Sequence, residues 1–88
     1  MHVKVTFQNL EQSEALQKSL IEAHPQDHTI NLEKILPDTQ AIEVYMTIEK
    51  SLHRVIQDLI KKDRNLYSQV TVEMIDQLTL QAAQQSVQ

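Results

Sequence analysis

His24 and His28, four residues apart with Asp27 between them, are the closest approach to a metal-binding pattern in this sequence. On a helix that spacing puts two imidazoles on one face as zinc ligands. Pro25 forbids the helix, so the residues read as a polar turn. Paired carboxylates occur as Glu43 with Glu49 and Asp58 with Asp63. Acid–base work would require burial to hold one of each pair protonated near neutrality, and their polar surroundings make them solvated faces instead. Ser51 and His53 supply two parts of a nucleophile triad, without the glycine-flanked elbow that exposes a serine. Ser51 reads as a helix cap. No catalytic set, cofactor site or metal site is assigned, and the chain is expected not to be an enzyme.

One basic concentration stands out: Lys61, Lys62, Asp63 and Arg64, with Lys50 and Arg54 nearby. Three or four phosphate contacts from such a run can support salt-dependent binding to nucleic acid. The rest of the chain opposes this, since 12 acidic residues against 8 basic ones give a net charge of −4. DNA binding over the whole surface is therefore not expected. Stacking platforms for single strands would have to come from Phe7, Tyr45 and Tyr67, and aromatics make up only 3% of the 88 residues. There is no glycine and no cysteine. The first absence removes the glycine loops that cradle nucleotide phosphates. The second removes disulfides, iron–sulfur clusters and thiolate zinc. No apolar run is long enough for a membrane span, and the opening MHVKVTFQNL has no signal-peptide core. A soluble cytoplasmic protein with no membrane partner is the expectation.

Hydrophobic periodicity defines the elements that would position these residues. Val3, Val5 and Phe7 alternate with polar neighbours, as in a strand with one buried face. Asn9 is a favoured N-cap with Gln12 in capping-box position, and Ser13 is an alternative cap. Behind it Ala15, Leu16, Ser19, Leu20 and Ala23 form a narrow apolar face that ends before Pro25. Residues 27–36 fit either a strand or a helical turn. Pro37-Asp38 is turn chemistry, and Ile42, Val44, Met46 and Ile48 then alternate as a strand. Leu52, Val55, Ile56, Leu59 and Ile60 follow the amphipathic helix template, with Ser51 as cap and Lys61 and Lys62 at the negative end of the dipole. Alternation resumes from Leu66 to Ile75, which predicts a last strand. Residues 1–78 make a single domain, and the Gln-rich residues 79–88 read as a frayed or disordered tail.

This order predicts an α+β, two-layer sandwich: an antiparallel sheet of three to four strands with two helices on one face, in the ferredoxin-like βαββαβ arrangement. The other face would carry Lys4, Thr6, Glu43, Tyr45, Thr47 and one set of the last strand. A small interaction module follows, one that associates with itself or with a protein partner through the open sheet face or an edge strand.

The stretch VKVTFQNLEQSEALQ, residues 3–17, resembles the opening of the ribosome hibernation-promoting factor and ribosome-associated inhibitor family. Leu32-Glu33-Lys34, IEVYMTIEK followed by His53-Arg54-Val55, and Asn65-Leu66-Tyr67 resemble its later stretches. The resemblance implies a βαβββα order and a translation inhibitor seated on the small ribosomal subunit, contacting rRNA through basic residues of its helices. The candidate contacts it leaves here are Lys18, Lys34, Arg54, Lys61, Lys62 and Arg64. Three features depart from that pattern. Residues 52–60 have helical rather than strand periodicity, EMIDQLTLQAAQQ carries no Lys or Arg, and the first helix has only Lys18 before Pro25 ends it.

Overall fold

The computed structural model describes residues 1–86. Its elements are β1 (His2–Phe7), α1 (Leu10–Ala23), β2 (His28–Ile35), β3 (Ile42–Ile48), α2 (Lys50–Lys62), β4 (Thr71–Ile75) and α3 (Gln77–Gln85). The four strands form one sheet in the order β2-β3-β1-β4, with every neighbouring pair antiparallel. This is the βαββαβ order with a helix added after the last strand. Residues 27–36 resolve as β2, and residues 52–60 are helical, as their periodicity predicts.

Alternation on β1 decides where the core sits. Val3, Val5 and Phe7 pair with Met46, Val44 and Ile42 of β3, and all six join Leu16 and Leu20 of α1 and Leu52 and Ile56 of α2 in one buried cluster. Each fully buried aliphatic or aromatic side chain contributes about 1.5–3 kcal/mol, so the two central strands and two helices hold most of the stability. The opposite sheet face is fixed by the same register. It carries His2, Lys4 and Thr6 of β1, Glu43, Tyr45 and Thr47 of β3, and Thr71, Glu73 and Ile75 of β4.

α1 starts as its sequence dictates, with a variation. Asn9 Oδ1 accepts from the Gln12 N–H at 2.9 Å, while Gln12 Oε1 accepts from the N–H of Gln8, one residue before the cap, at 2.7 Å. Gln12 is buried, and its Nε2 donates to the carbonyls of Leu66 and Ser68, both at 3.0 Å. This side chain therefore ties the start of α1 to the segment between α2 and β4. Ser13 is not the cap; it is buried inside α1.

Several expectations are corrected. The last strand begins at Thr71, not Leu66. Residues 63–69 instead form turns, because Asp63 Oδ1 accepts from Leu66 N–H, Asp63 O accepts from Tyr67 N–H, and Gln12 takes up two of the carbonyls a strand would have used. The turn sends Tyr67 into the core. Ser51 does not cap α2: the cap position is Glu49, with no side-chain cap bond, and Ser51 is exposed in the first turn. There are three helices among the described residues rather than two. The Gln-rich stretch read as a tail is α3 through Gln85, capped by Asp76 Oδ1 accepting from Thr79 N–H at 2.7 Å. The expected domain boundary at residue 78 thus falls inside a helix, and residues 87–88 of the expected tail lie outside the described residues.

Leu80 of α3 is buried, yet it stands outside the cluster beneath α1 and α2, as does Tyr45, which is only 6% exposed. Tyr45 lies by register on the far face of the sheet, and a bare face would leave a tyrosine largely in water. α3 follows directly from Ile75 of that face. Around Tyr45 the face is polar: Lys4 Nζ lies 3.1 Å from Glu73 and 3.6 Å from Glu43, and the Tyr45 hydroxyl donates to Glu43 at 3.3 Å. No helix among the described residues is long and apolar enough to cross a membrane.

Two predictions follow from this packing. Gln12→Leu leaves the Gln8 N–H and two carbonyls without partners and should lower unfolding free energy by about 2–3 kcal/mol, read as a shifted urea midpoint. Amide exchange should accelerate at residues 66–70 before it does in β1, and unchanged exchange there would refute the tether. The second concerns alkaline pH. The bond to Glu73, aided by the nearby carboxylate charges and opposed by partial burial, holds the Lys4 ammonium above its ordinary 10.5. Burial first, then the Glu43 charge, holds the Tyr45 phenol above its ordinary 10.0. Both groups keep their protons in the folded state to higher pH than in the unfolded chain. Stability from them is full below their unfolded values and is lost as pH rises through the folded ones. Lys4→Met combined with Tyr45→Phe should flatten the fall in urea midpoint above about pH 10, whereas parallel curves would assign that fall to other groups.

Candidate interaction surface

The residues that first suggest chemistry are engaged in local structure. His24 Nδ1 lies 3.0 Å from Asp27 Oδ2, and His28 Nδ1 lies 2.9 Å from the His24 carbonyl, so the two imidazoles brace the turn between α1 and β2. Glu43 and Glu49 sit at opposite ends of β3, one beside Lys4 and the other next to α2. Asp63 is held in the turn that follows α2. All three aromatics are buried, so none offers a stacking surface.

The six basic candidates do not form one surface. Arg54, Lys61, Lys62 and Arg64 are exposed on α2 and just past its end. With Lys50 they make a stripe, because Lys50, Arg54 and Lys61 fall within one face of the helix opposite Leu52 and Ile56. Lys18 lies apart on α1, and Lys34 is half-buried on the far face of edge strand β2, opposite Glu43. Among the described residues none of the six takes part in an ion pair.

A different surface is assembled along β2 and the neighbouring flank of α1. Sheet order makes β2 an edge strand, and the core cluster includes only its Ile30, as a partly buried member. Ile35, at the end of β2 on the core side, is 67% exposed; Leu10 and Ile21 on α1 are 58% and 56% exposed. These are not isolated. Leu10, Ile21 and Glu33 line a groove of about 430 Å³ beside α1, and Leu10 and Ile35 line a second hollow of about 390 Å³ with Pro37 and Ile42. Gln17 Nε2 donates to Glu33 Oε1 at 2.8 Å, bridging α1 to the edge strand across the first groove. The result is an apolar line interrupted by a hydrogen bond and rimmed by Glu14, Lys18 and Glu22. Exposed apolar side chains that cluster in this way, with a polar rim, mark contact surfaces more often than scattered ones do.

The backbone of β2 adds directional groups to that surface. Its pairing with β3 shifts register between Ile30 and Leu32, which leaves Asn31 as an extra residue. Asn31 Nδ2 donates to Thr47 Oγ1 at 2.8 Å, and His2 Nδ1 lies 2.9 Å from the same oxygen. Thr47 thus links β1, β3 and the bulge. In the sequence Leu10 and Ile21 were legible only as apolar residues off the Ala15, Leu16, Ser19, Leu20 face. Ile35 carried no signal until β2 was known to be an edge.

No family model matches this chain, and neither the curated proteins nor the solved structures compared with it include a match.

Proposed function

We propose that this chain is a small non-enzymatic interaction module of the cytoplasm that binds a protein through the β2 edge and the adjoining flank of α1. The observation that carries this reading is the alignment of Leu10, Ile21 and Ile35, all more than half exposed, beside an edge strand with unpaired backbone groups. An edge supplies main-chain hydrogen bonds to an incoming strand, and neighbouring apolar side chains supply the burial that makes the contact stable. Compared with the open sheet face, the edge is favoured because Tyr45 is already covered and the groups around it are paired.

A second reading, a ribosome-associated factor contacting rRNA, is supported by the distribution of charge. Residues 50–64 hold five of the chain's eight basic residues against Asp58 and Asp63, and the other seventy-three residues hold three basic and ten acidic. A basic stripe on an otherwise acidic protein can engage phosphates with a strong salt dependence. It ranks second because the stripe lacks exposed aromatics and is confined to one helix.

Site-specific photo-cross-linking in cells separates the two. A cross-linking residue in place of Ile35 should give protein adducts, which Leu10→Glu in the same chain should reduce at least fivefold. One in place of Lys61 should give little RNA. RNA adducts from position 61 with none from position 35 would reverse the ranking, and silence at both positions would remove both readings.

A further inference from the structure

The core-side groups of the β2 edge alternate between apolar and acidic. Ile30, Glu33 and Ile35 stand opposite Met46, Val44 and Ile42 of β3, so despite the extra Asn31 they keep the alternate spacing of a regular strand. α1 repeats the pattern beside them. Leu10, Glu14, Gln17 and Ile21 follow one another at steps of four, three and four residues, which sets them in line along one flank of the helix. Leu10 shares a hollow with Ile35, and Gln17 Nε2 donates to Glu33 Oε1. The helix therefore runs opposite to β2, and Ile21 falls towards Ile30. The rise from Leu10 to Ile21 is about 16 Å, which about five residues of extended chain would cover.

Charge decides what belongs at the middle of this line. Glu14, Glu22 and Glu33 line the groove against a single cation, Lys18, and among the described residues none of these four takes part in an ion pair. Lys34, the other cation of β2, is on the far face opposite Glu43. Glu14 and Glu33 are exposed, and the bond from Gln17 engages only one of the Glu33 oxygens. We propose that β2 takes an extended basic segment of another protein as a fifth strand, with an aliphatic residue, an arginine or lysine, and a second aliphatic residue at alternate positions facing α1. This partner presupposes the interaction-module reading and gives it a chemistry.

Each part of that segment has a counterpart. One aliphatic residue covers Leu10 and Ile35, and the other covers Ile21 and Ile30. The cation between them stands about 5 Å from Glu33 in the cross-strand direction, on the side where Glu14 lines the groove. A strand is called for because backbone groups alternate in direction: Asp27 and Leu36 bond inward, through Glu49 N–H and the Ala41 carbonyl, so Ile30, Glu33 and Ile35 turn theirs outward. An acidic segment would meet like charge, and the glutamates thereby select a partner more than they tighten its binding. A second copy paired antiparallel at β2 about a two-fold axis does not meet the requirement. It would bring the same core-side residues, which include no Lys or Arg, and its basic stripe belongs to a helix.

Peptide binding to the full chain tests this. The probe is a labelled heptapeptide with threonine at its odd positions and isoleucine, arginine and isoleucine at its even ones, compared with the same peptide carrying glutamate for arginine. The arginine peptide should bind about tenfold tighter at low salt, and the ratio should shrink towards one in about 1 M salt, where charges are screened within about 3 Å. It should also slow amide exchange at Ile30 and Glu33, whose N–H groups face outward. Glu14→Gln combined with Glu33→Gln, at exposed positions and with the acceptor for Gln17 retained, should bring the two peptides within about twofold of each other. Equal affinities in the unmodified chain, no binding of the arginine peptide, or unchanged exchange at both amides overturns the inference. In cells, the same two substitutions should cut protein adducts from position 35 about fivefold. Undiminished adducts, or adducts formed with a second copy of the chain, overturn the basic partner and leave the interaction-module reading standing. Absence of adducts from position 35 in the unmodified chain removes both together.

Discussion

The pairing of β1 with β3 is the constraint from which the rest of this molecule follows. These two strands occupy the centre of the sheet and between them supply seven of the twelve residues of the buried cluster. Their alternation admits one register, because a slip of one residue would turn Val3, Val5 and Phe7 to the polar face and Lys4 to the core. Once they are central, β2 and β4 must be edges. The two helices that cover the centre have too little breadth to cover both edges as well, and among the described residues no other helix packs on that side of the core cluster. The exposed line from Ile21 through Leu10 to Ile35 is a direct consequence of that shortage.

The two edges are handled differently, which gives the edge reading its physical content. β4 is short, at five residues, and runs straight into the Asp76 cap of α3, so it offers little ladder to a partner. β2 is eight residues long and carries a bulge. A bulge disfavours indiscriminate strand addition, the usual hazard of a free edge, while the outward backbone groups of β2 beside exposed aliphatic side chains keep their hydrogen-bonding capacity. Gln17 and Glu33 reinforce this by bridging helix to edge, which fixes the distance between the apolar line and the strand.

Much of this architecture is legible in the sequence. The period-two runs of β1 and β3 and the 3.6-residue run of α2 are amphipathic patterns with one interpretation each, and Asn9 announces its helix. The misreadings share a cause: local patterns overruled by contacts distant in sequence. Leu66 to Val70 alternates well enough for a strand, but Gln12, more than fifty residues earlier, captures its carbonyls. The glutamines after Ile75 look like a tail because only Leu80 is deeply buried there, and one anchoring residue leaves almost no periodic signal. The exposed apolar line is the least legible part, since exposure of Leu10, Ile21 and Ile35 is a property of how far α1 and α2 reach over the sheet. The basic residues, by contrast, were visible at once and were brought together only on α2.

The absence of glycine also acquires a structural meaning. With strands joined mainly through helices, the turn between β2 and β3 is the one direct hairpin among the described residues, and it places Gln40 in the left-handed region at φ 59°. Gln69 does the same at φ 61° just before β4. A side chain in that region costs about 1 kcal/mol relative to glycine, so two such sites are a tolerable expense for a fold of this size, whereas a meander of hairpins would multiply it. At Gln69 the cost is offset by a bond, its carbonyl accepting from Gln8 Nε2 at 3.1 Å. Gln8 also donates its N–H to Gln12, so the strained turn, the helix cap and the buried glutamine form one polar junction at the end of β1. Glycine at residue 69 would ease the backbone but loosen the unfolded and folded chain alike at the point where α1, β1 and β4 meet. The fold therefore relies on side-chain amides to set a junction that other sheets set with glycine turns.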